Sequence, residues 1–276
     1  MVDLTMDKTD SNNPIQTKLI RIDQWLSQQN LANSRTHAAA LIEQGQVELF
    51  QPSTSTWNKV TKSSLKISFE MSAEMVRVLS GPANRYVSRG GIKLEGALNH
   101  ASLNVNGLRV LDVGTSTGGF ADCCLQQNAA FVVGVDVGHG QLAPSLSQHP
   151  NLVLYEGVNA KNLSSYKTTL DELQRPFDLI VGDLSFISIT TVFPHLRNFL
   201  SPQGHVLFLV KPQFELDSKA LNKSGIVKAP RSYDLVKIKI LESCIRSQLQ
   251  VLDYFDSPIE GKDGNREFFV FATPVL

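Results

Sequence analysis

Residues 108–119 read LRVLDVGTSTGG. A short apolar strand runs into an aspartate and then a glycine-rich turn, after which the pattern predicts a helix. In an open parallel sheet, such a turn sets backbone N–H groups and a helix N-terminus at the carboxyl end of the first strand, where a polar ligand is received. The glycines are spaced G-x-x-x-G-G (Gly114, Gly118, Gly119), not the G-x-G-x-x-G of dinucleotide sites. Over this stretch alone, a tight strand–helix turn without a ligand reads the same way.

The next apolar run, FVVGVD, ends in Asp136, the usual place for a carboxylate that holds ribose hydroxyls. Asp112 and Asp136 therefore suggest a nucleoside-bearing cofactor that lacks a pyrophosphate, and S-adenosylmethionine is the obvious candidate. Beyond this pair the alternation is regular. Strands are expected at 108–113, 131–136, 151–155, 177–182, 204–211, 250–256 and 266–272, and amphipathic helical segments at 118–128, 141–148, 189–200 and 231–249. Strands alternating with helices call for a parallel sheet covered on both faces. The last two are joined by only SPIEGKDGN, too short for a crossover helix, so they should pair antiparallel. The expected fold class is α/β, a Rossmann-like class I methyltransferase sheet with an antiparallel terminal hairpin, preceded by a small α+β domain.

The chain of 276 residues has room for both parts. Its formal net charge is zero, but residues 17–91 carry nine Lys/Arg against five Asp/Glu, and residues 92–276 sixteen against eighteen. A mildly basic front end on a near-neutral body fits a nucleic-acid-binding appendage. In that front end, RIDQWL and SRTHAAALIEQGQV are predicted as two short helices, the second capped at Asn33-Ser34 and stopped at Gly45, with strand pieces QVELF and LKISFE after them. The polar stretch between those pieces is expected as a loop. This segment resembles the RNA-binding module of ribosomal protein S-four, except that ELFQPSTSTWNK replaces the usual V-N-G turn and alters the hairpin tip. The expected organisation is a disordered leader over 1–17, the RNA-binding domain over 18–75, a linker over 76–90 and the methyltransferase domain over 91–276.

Four further segments bear chemistry: SRGGIKLEGAL, IVGDLSFIS, FLVKPQFE and GNREFFVF. Asp183 and Lys211 end predicted strands and so project at the carboxyl edge beside the glycine turn. A lysine closing the apolar run LFLV is costly to bury without a partner, and two lysines with two carboxylates would neutralise one another. Cys123, Cys124 and Cys244 offer no metal spacing and no disulfide framework, so they read as core residues of a protein in a reducing compartment, the cytoplasm. No apolar stretch is long enough to span a bilayer, and no metal cluster is expected.

The order Lys, Asp, Lys, Glu on such a sheet is similar to that of the FtsJ-type ribose 2′-O-methyltransferases. With the front module, the chain from about residue 18 resembles the TlyA family, carried by RYVSRGGIKLEGAL, LDVGTSTGGFADCCLQ, VDVGHGQL, DLSFIS, VKPQFE and SPIEGKDGNREFF. The resemblance implies a catalytic tetrad of Lys93, Asp183, Lys211 and Glu267, acting on a cytidine ribose 2′-hydroxyl in ribosomal RNA. It implies cofactor contacts at Asp112, Gly114, Gly118 and Asp136, flanked by Thr115, Gly119, Phe120, Val137 and Asp183, with Asn159 as an adenine contact. Thr115 stands where the family commonly has alanine.

Lys211 has two readings: neutral, it is a general base; charged, it orients the hydroxyl and stabilises the forming alkoxide. Arg21, Arg35, Lys59, Lys62, Lys66, Arg85 and Arg89 are expected to hold RNA phosphates of a ribosomal subunit, with the protein acting as a monomer. The alternatives are a non-catalytic ribosome-associated RNA-binding factor, a membrane-lytic haemolysin as in the family's older label, a nicotinamide-dependent oxidoreductase and a base methyltransferase.

Overall fold

The computed structural model describes residues 18–275 except Asn30, Asn33, Ser80, 82–84, Lys262 and Asp263. The expected leader and the Asn33 half of the predicted cap lie outside the described residues. The chain divides into two units, one ending at Gly81 and one beginning at Pro82.

In the first unit, β1 (Leu19–Arg21) leads into α1 (Ile22–Gln28), and α2 (Arg35–Glu43) follows. The Ser34 side chain caps α2 by accepting from the His37 N–H at 3.1 Å. Gly45 stops it with φ +68°, a conformation that costs glycine little. Ile22, Trp25, Leu26, Ala38 and Leu41 form the buried seam between the helices. β1 pairs with β4 (Lys66–Ser68). A three-stranded sheet is built from β2 (Val47–Gln51), β3 (Thr56–Lys59) and β5 (Val76–Val78).

Two expectations are corrected here. The polar loop contains β3, because Trp57 packs on Phe50 with ring centroids 5.3 Å apart and under Arg77 at 4.3 Å. The expected linker over 76–90 begins inside the first unit, because Val76–Val78 pairs antiparallel with β2.

The second unit is a seven-stranded sheet: β6 (Arg109–Val113), β7 (Phe131–Asp136), β8 (Leu152–Glu156), β9 (Phe177–Gly182), β10 (Leu200–Val210), β11 (Leu249–Asp256) and β12 (Phe268–Pro274). Their spatial order is β11-β12-β10-β9-β6-β7-β8. The five strands from β8 across to β10 are parallel, and β12 is antiparallel to both its neighbours. The terminal pair is thus the expected hairpin, with its second strand inserted next to β10. The order reverses between β6 and β9, which makes the cleft beyond their carboxyl ends the natural ligand site.

Helices α3 (Arg89–His100) and α4 (Gly119–Gln126) lie on one face of this sheet, and α5 (Phe193–Leu196) and α7 (Arg231–Arg246) on the other. The short α6 (Pro212–Glu215) follows β10. The sequence missed α3, which starts inside the expected linker. Gly91 in it is required by a close approach: a Cβ there would lie 2.3 Å from the Tyr86 ring. The helix expected at 141–148 is a run of turns instead. Pro144 can donate no backbone hydrogen bond, and the Ala143 N–H is spent on the Thr117 carbonyl at 3.1 Å. The segment at 189–200 holds only α5 between two 3-10 turns before β10 begins. Cys123, Cys124 and Cys244 are core residues as expected, and burial pushes the Cys123 thiol up to about 12.

Candidate active site

The glycine turn sits at the reversal point. Gly114 has φ +85° and Gly118, the N-cap of α4, has φ +92°. Space matters as much as conformation at Gly114, where a Cβ would lie 2.7 Å from Leu184 Cδ2 and 3.1 Å from the Asp183 carbonyl oxygen. The turn and the loop after β9 therefore touch through backbone. One further bond fixes them, from the Asp183 N–H to the Val113 carbonyl at 3.3 Å.

A cleft of about 440 Å³ opens beside this contact, a volume suited to a nucleoside. Its walls are apolar at Val135, Val158 and Leu184, and polar at Asp136, Asn159 and Asp183. Asp136 accepts at both oxygens, from the Ser116 N–H and the Gly138 N–H, each at 2.7 Å. Those bonds fix the carboxylate and leave further lone pairs for a diol. Asn159 accepts from the Lys161 N–H at 3.0 Å, which leaves its side-chain amide N–H groups for a ligand. Val137 is exposed on the same wall. A narrower compartment of about 120 Å³ continues past Gly114, Asp183 and Ser185 to Ser88, Gly119, Phe120 and Lys211. This set fits S-adenosylmethionine: an apolar slot with a fixed carboxylate for the nucleoside, joined to a polar extension.

Not every expected contact reaches the cleft. Asp112 is fully buried under the turn, where Oδ2 accepts from the Ala121 N–H at 3.1 Å and Oδ1 has no hydrogen-bond partner. Burial first, and then the nearby Asp183 and Asp136 carboxylates, push its pKa up to about 8. Asp112 thus secures the start of α4 and lines neither compartment. Gly118 likewise packs inward, against Leu146. Thr115 does line the narrower compartment, although its side chain is buried, with the hydroxyl donating to the Asp112 carbonyl at 3.0 Å over Gly134.

The four residues of the expected tetrad meet as two pairs. Lys211 Nζ lies 2.5 Å from Asp183 Oδ1 and donates to Ser185 Oγ at 2.9 Å. The approach to Asp183 is an ion pair that lies off the hydrogen-bonding axis of Oδ1. Lys93, on α3 and not at a strand end, donates to Glu267 Oε2 at 2.5 Å, with both side chains buried. Asp183 lines both compartments and Lys211 the narrower one, whereas Lys93 and Glu267 line neither.

Ser185 and Phe186 are wall residues that the sequence did not single out, although both lie in the quoted DLSFIS. Phe186 stands 88% exposed at φ +65°, tilted against Phe214 with centroids 5.3 Å apart. A bulky residue in the left-handed region is uncommon enough to mark a held conformation. Only the backbone reveals it.

The basic residues expected on RNA divide between the units. Arg21 and Arg35 both reach Asp23, at 2.8 and 3.5 Å, while Lys59, Lys62 and Lys66 are exposed. In the second unit, Arg85 pairs with Glu95 at 2.5 Å and Arg89 donates to the Glu260 carbonyl at 2.9 Å. No described helix is long and apolar enough to cross a membrane.

Comparison with known proteins agrees with both units. Residues 86–273 match the family model described as FtsJ-like methyltransferase, and residues 20–49 match that of the S4 domain. The chain is 35% identical over 256 residues to the "16S/23S rRNA (cytidine-2'-O)-methyltransferase TlyA" of Mycobacterium tuberculosis, covering 91% of this chain and 88% of that one. It is 33% identical over 253 residues to "Hemolysin A" of Brachyspira hyodysenteriae, covering 90% and 98%. The solved structure of the "Putative hemolysin from Streptococcus thermophilus" superposes with a TM-score of 0.69 at 31% identity, covering 94% of this chain and 89% of that one. With a glycine turn, a fixed Asp136 and a lysine–aspartate pair at one sheet edge, and with these matches along nearly its whole length, the chain belongs to the TlyA family of S-adenosylmethionine-dependent FtsJ-like methyltransferases that carry an S4 domain.

Proposed function

We propose that this protein methylates the ribose 2′-hydroxyl of a cytidine in ribosomal RNA. The observation that carries the reading is the Lys211–Asp183 pair at the narrower compartment, with Ser185 as its third member and Asp183 and Ser185 also facing the larger cleft. S-adenosylmethionine, when bound, supplies a methyl group made electrophilic by its sulfonium. What remains for the chain is to align an oxygen, stabilise it and remove its proton.

Asp136 and Asn159 hold the nucleoside end of the cleft, and the polar extension past Gly119 takes the rest. Lys211 donates one ammonium N–H to Ser185 and lies in ion-pair contact with Asp183, which leaves a further N–H to meet the incoming hydroxyl oxygen. An ammonium paired in this way favours the charged reading of Lys211: it fixes the oxygen and offsets the negative charge that develops there. The hydroxyl becomes more acidic beside the ammonium as its oxygen approaches the methyl carbon, so its proton leaves while the new bond forms and a carboxylate suffices as acceptor. The second oxygen of Asp183 takes that proton. The S4 domain and its exposed lysines bind the RNA through phosphates, which makes affinity fall with salt.

The test is methyl transfer from labelled S-adenosylmethionine to unmodified ribosomal subunits, with nucleoside mass spectrometry of the product. 2′-O-methylcytidine that disappears in Lys211→Ala supports the reading. No transfer to either subunit, despite cofactor binding, overturns it and favours a non-catalytic RNA-binding factor.

A further inference from the structure

Glu215 closes the quoted VKPQFE and lines neither compartment, yet its side chain is only 1% exposed. A buried carboxylate is costly unless its charge and lone pairs are met. Lys239 on α7 meets the charge, 2.9 Å from Oε2. The remaining bonds run elsewhere: Oε2 accepts from the Ser188 hydroxyl at 2.5 Å, and Oε1 accepts from the Ile189 N–H at 2.8 Å. Ser188 ends the DLSFIS loop that carries Asp183 and Ser185, and Ile189 opens the 3-10 turn that follows it. Glu215 ends α6, the short helix whose N-cap is Lys211. One carboxylate thus joins the loops after β9 and β10.

The loop between these fixed points is under strain. Phe186 holds φ +65° and, being mostly exposed, gains little by burial. Such a conformation is costly for a residue with a side chain and persists only where its surroundings impose it. The Asp183 N–H bond to Val113 pins the loop at one end, and Glu215 pins it at the other.

We propose that Glu215, acting through Ser188 and Ile189, is a positioning residue that holds the DLSFIS loop in the register where Asp183 and Ser185 meet Lys211. The inference rests on the methyl-transfer reading above. Lys239 meets the charge from α7, whereas the two acceptor bonds, to consecutive residues, tie the carboxylate to the segment that follows Asp183 and Ser185.

The experiment compares Ser188→Ala, Glu215→Gln, Glu215→Ala and the double variant Ser188→Ala/Glu215→Ala, all in the full chain. Ser188→Ala removes a single hydroxyl and is the variant that should fold regardless. Two readouts are used: hydrogen–deuterium exchange of residues 184–189 without cofactor, and kcat and KM on ribosomal subunits. Ser188→Ala and Glu215→Gln should exchange faster across the loop and lose about 10- to 100-fold in kcat, with KM for the subunit little changed. The double variant should be no slower than Glu215→Ala, because both substitutions break one link.

Unchanged exchange overturns the proposal. So does faster exchange with unchanged kcat, which leaves Glu215 a role in the fold only, and so do losses that multiply. If the wild-type chain transfers no methyl group, the functional reading fails by itself. The clamp is then judged by exchange together with the Kd for S-adenosylmethionine: faster exchange with weakened binding supports it, and either one unchanged overturns it.

Discussion

Lys93 and Glu267 lie 174 residues apart in the chain and meet at 2.5 Å in a buried ion pair. Lys93 comes from the second turn of α3, and Glu267 immediately precedes β12. The pair staples a helix on one face of the sheet to the entry of the strand inserted next to β10. Gly261 packs so closely against it that a Cβ there would lie 2.6 Å from Glu267 Oε1.

Breaking this pair from one side leaves a buried charge alone. Glu267→Leu or Lys93→Met should each cost about 3–5 kcal/mol in urea unfolding, while the double variant should recover most of that loss. Methyl transfer should stay lost in the double variant if the pair serves the reaction as well as the fold. Recovery of both stability and turnover would reduce it to a structural staple.

Lys211 separates two chemistries. Lys211→Ala should lower kcat by about 10²–10³, the usual loss when a group that stabilises developing charge is removed. Lys211→Arg keeps the positive charge and its donors but cannot act as a base near neutral pH. Measurable residual turnover in the arginine variant, above that of alanine, is the expected result in single-turnover assays. Equal loss in both would restore the general-base reading.

Asp112 gives a pH signature. Its pKa is pushed up to about 8 in the fold, against about 3.9 for an unperturbed aspartate. The folded state therefore binds the extra proton between these values. The stability linked to Asp112 is fully present below about pH 4 and is lost as pH rises through about 8. Asp112→Asn keeps an acceptor for the Ala121 N–H and removes the titration. Its melting temperature should change less between pH 5 and pH 8.5 than that of the wild type. A variant that follows the wild-type pH profile would show that Asp112 is ionised in the fold.

Gly114→Ala tests the close approach of the turn to the Asp183 loop. A side chain at φ +85° with a backbone oxygen at 3.1 Å should be destabilising by about 1–3 kcal/mol. Because the displaced atoms belong to Asp183 and Leu184, calorimetry should also show weakened S-adenosylmethionine binding. Unchanged affinity would mean that the loop yields without moving the cleft.

Much of this site could be read from the chain because it lies where strands end. Asp136, Asp183 and Lys211 each follow an apolar run, and a parallel sheet delivers such residues to one edge whatever the details of its loops. Lys93 was found by its family motif and not by its position, since no element was expected over IKLEGAL, which is the middle of a helix held by the Tyr86–Gly91 contact. Asp112 shows the reverse failure. Its spacing marks a ligand contact, but burial and the bond to Ala121 turn it inward. Glu215, Ser185 and Phe186 were invisible because their roles depend on partners in other loops or on one backbone angle. The 141–148 segment failed for a local reason, in that Leu142 and Leu146 have helical spacing but Pro144 sits between them.

The insertion of β12 between β10 and β11 has a consequence for how the protein is made. β11 leaves the ribosome before β12 yet reaches the sheet only through it, so the earlier strand must wait, unpaired, for the later one. Until β12 docks, β10 has an open edge and Lys93 has no counter-ion. Assembly of the sheet and completion of its buried charge pair are then a single late event, so a chain caught during synthesis would hold most of its cofactor cleft and none of the closure at Glu267.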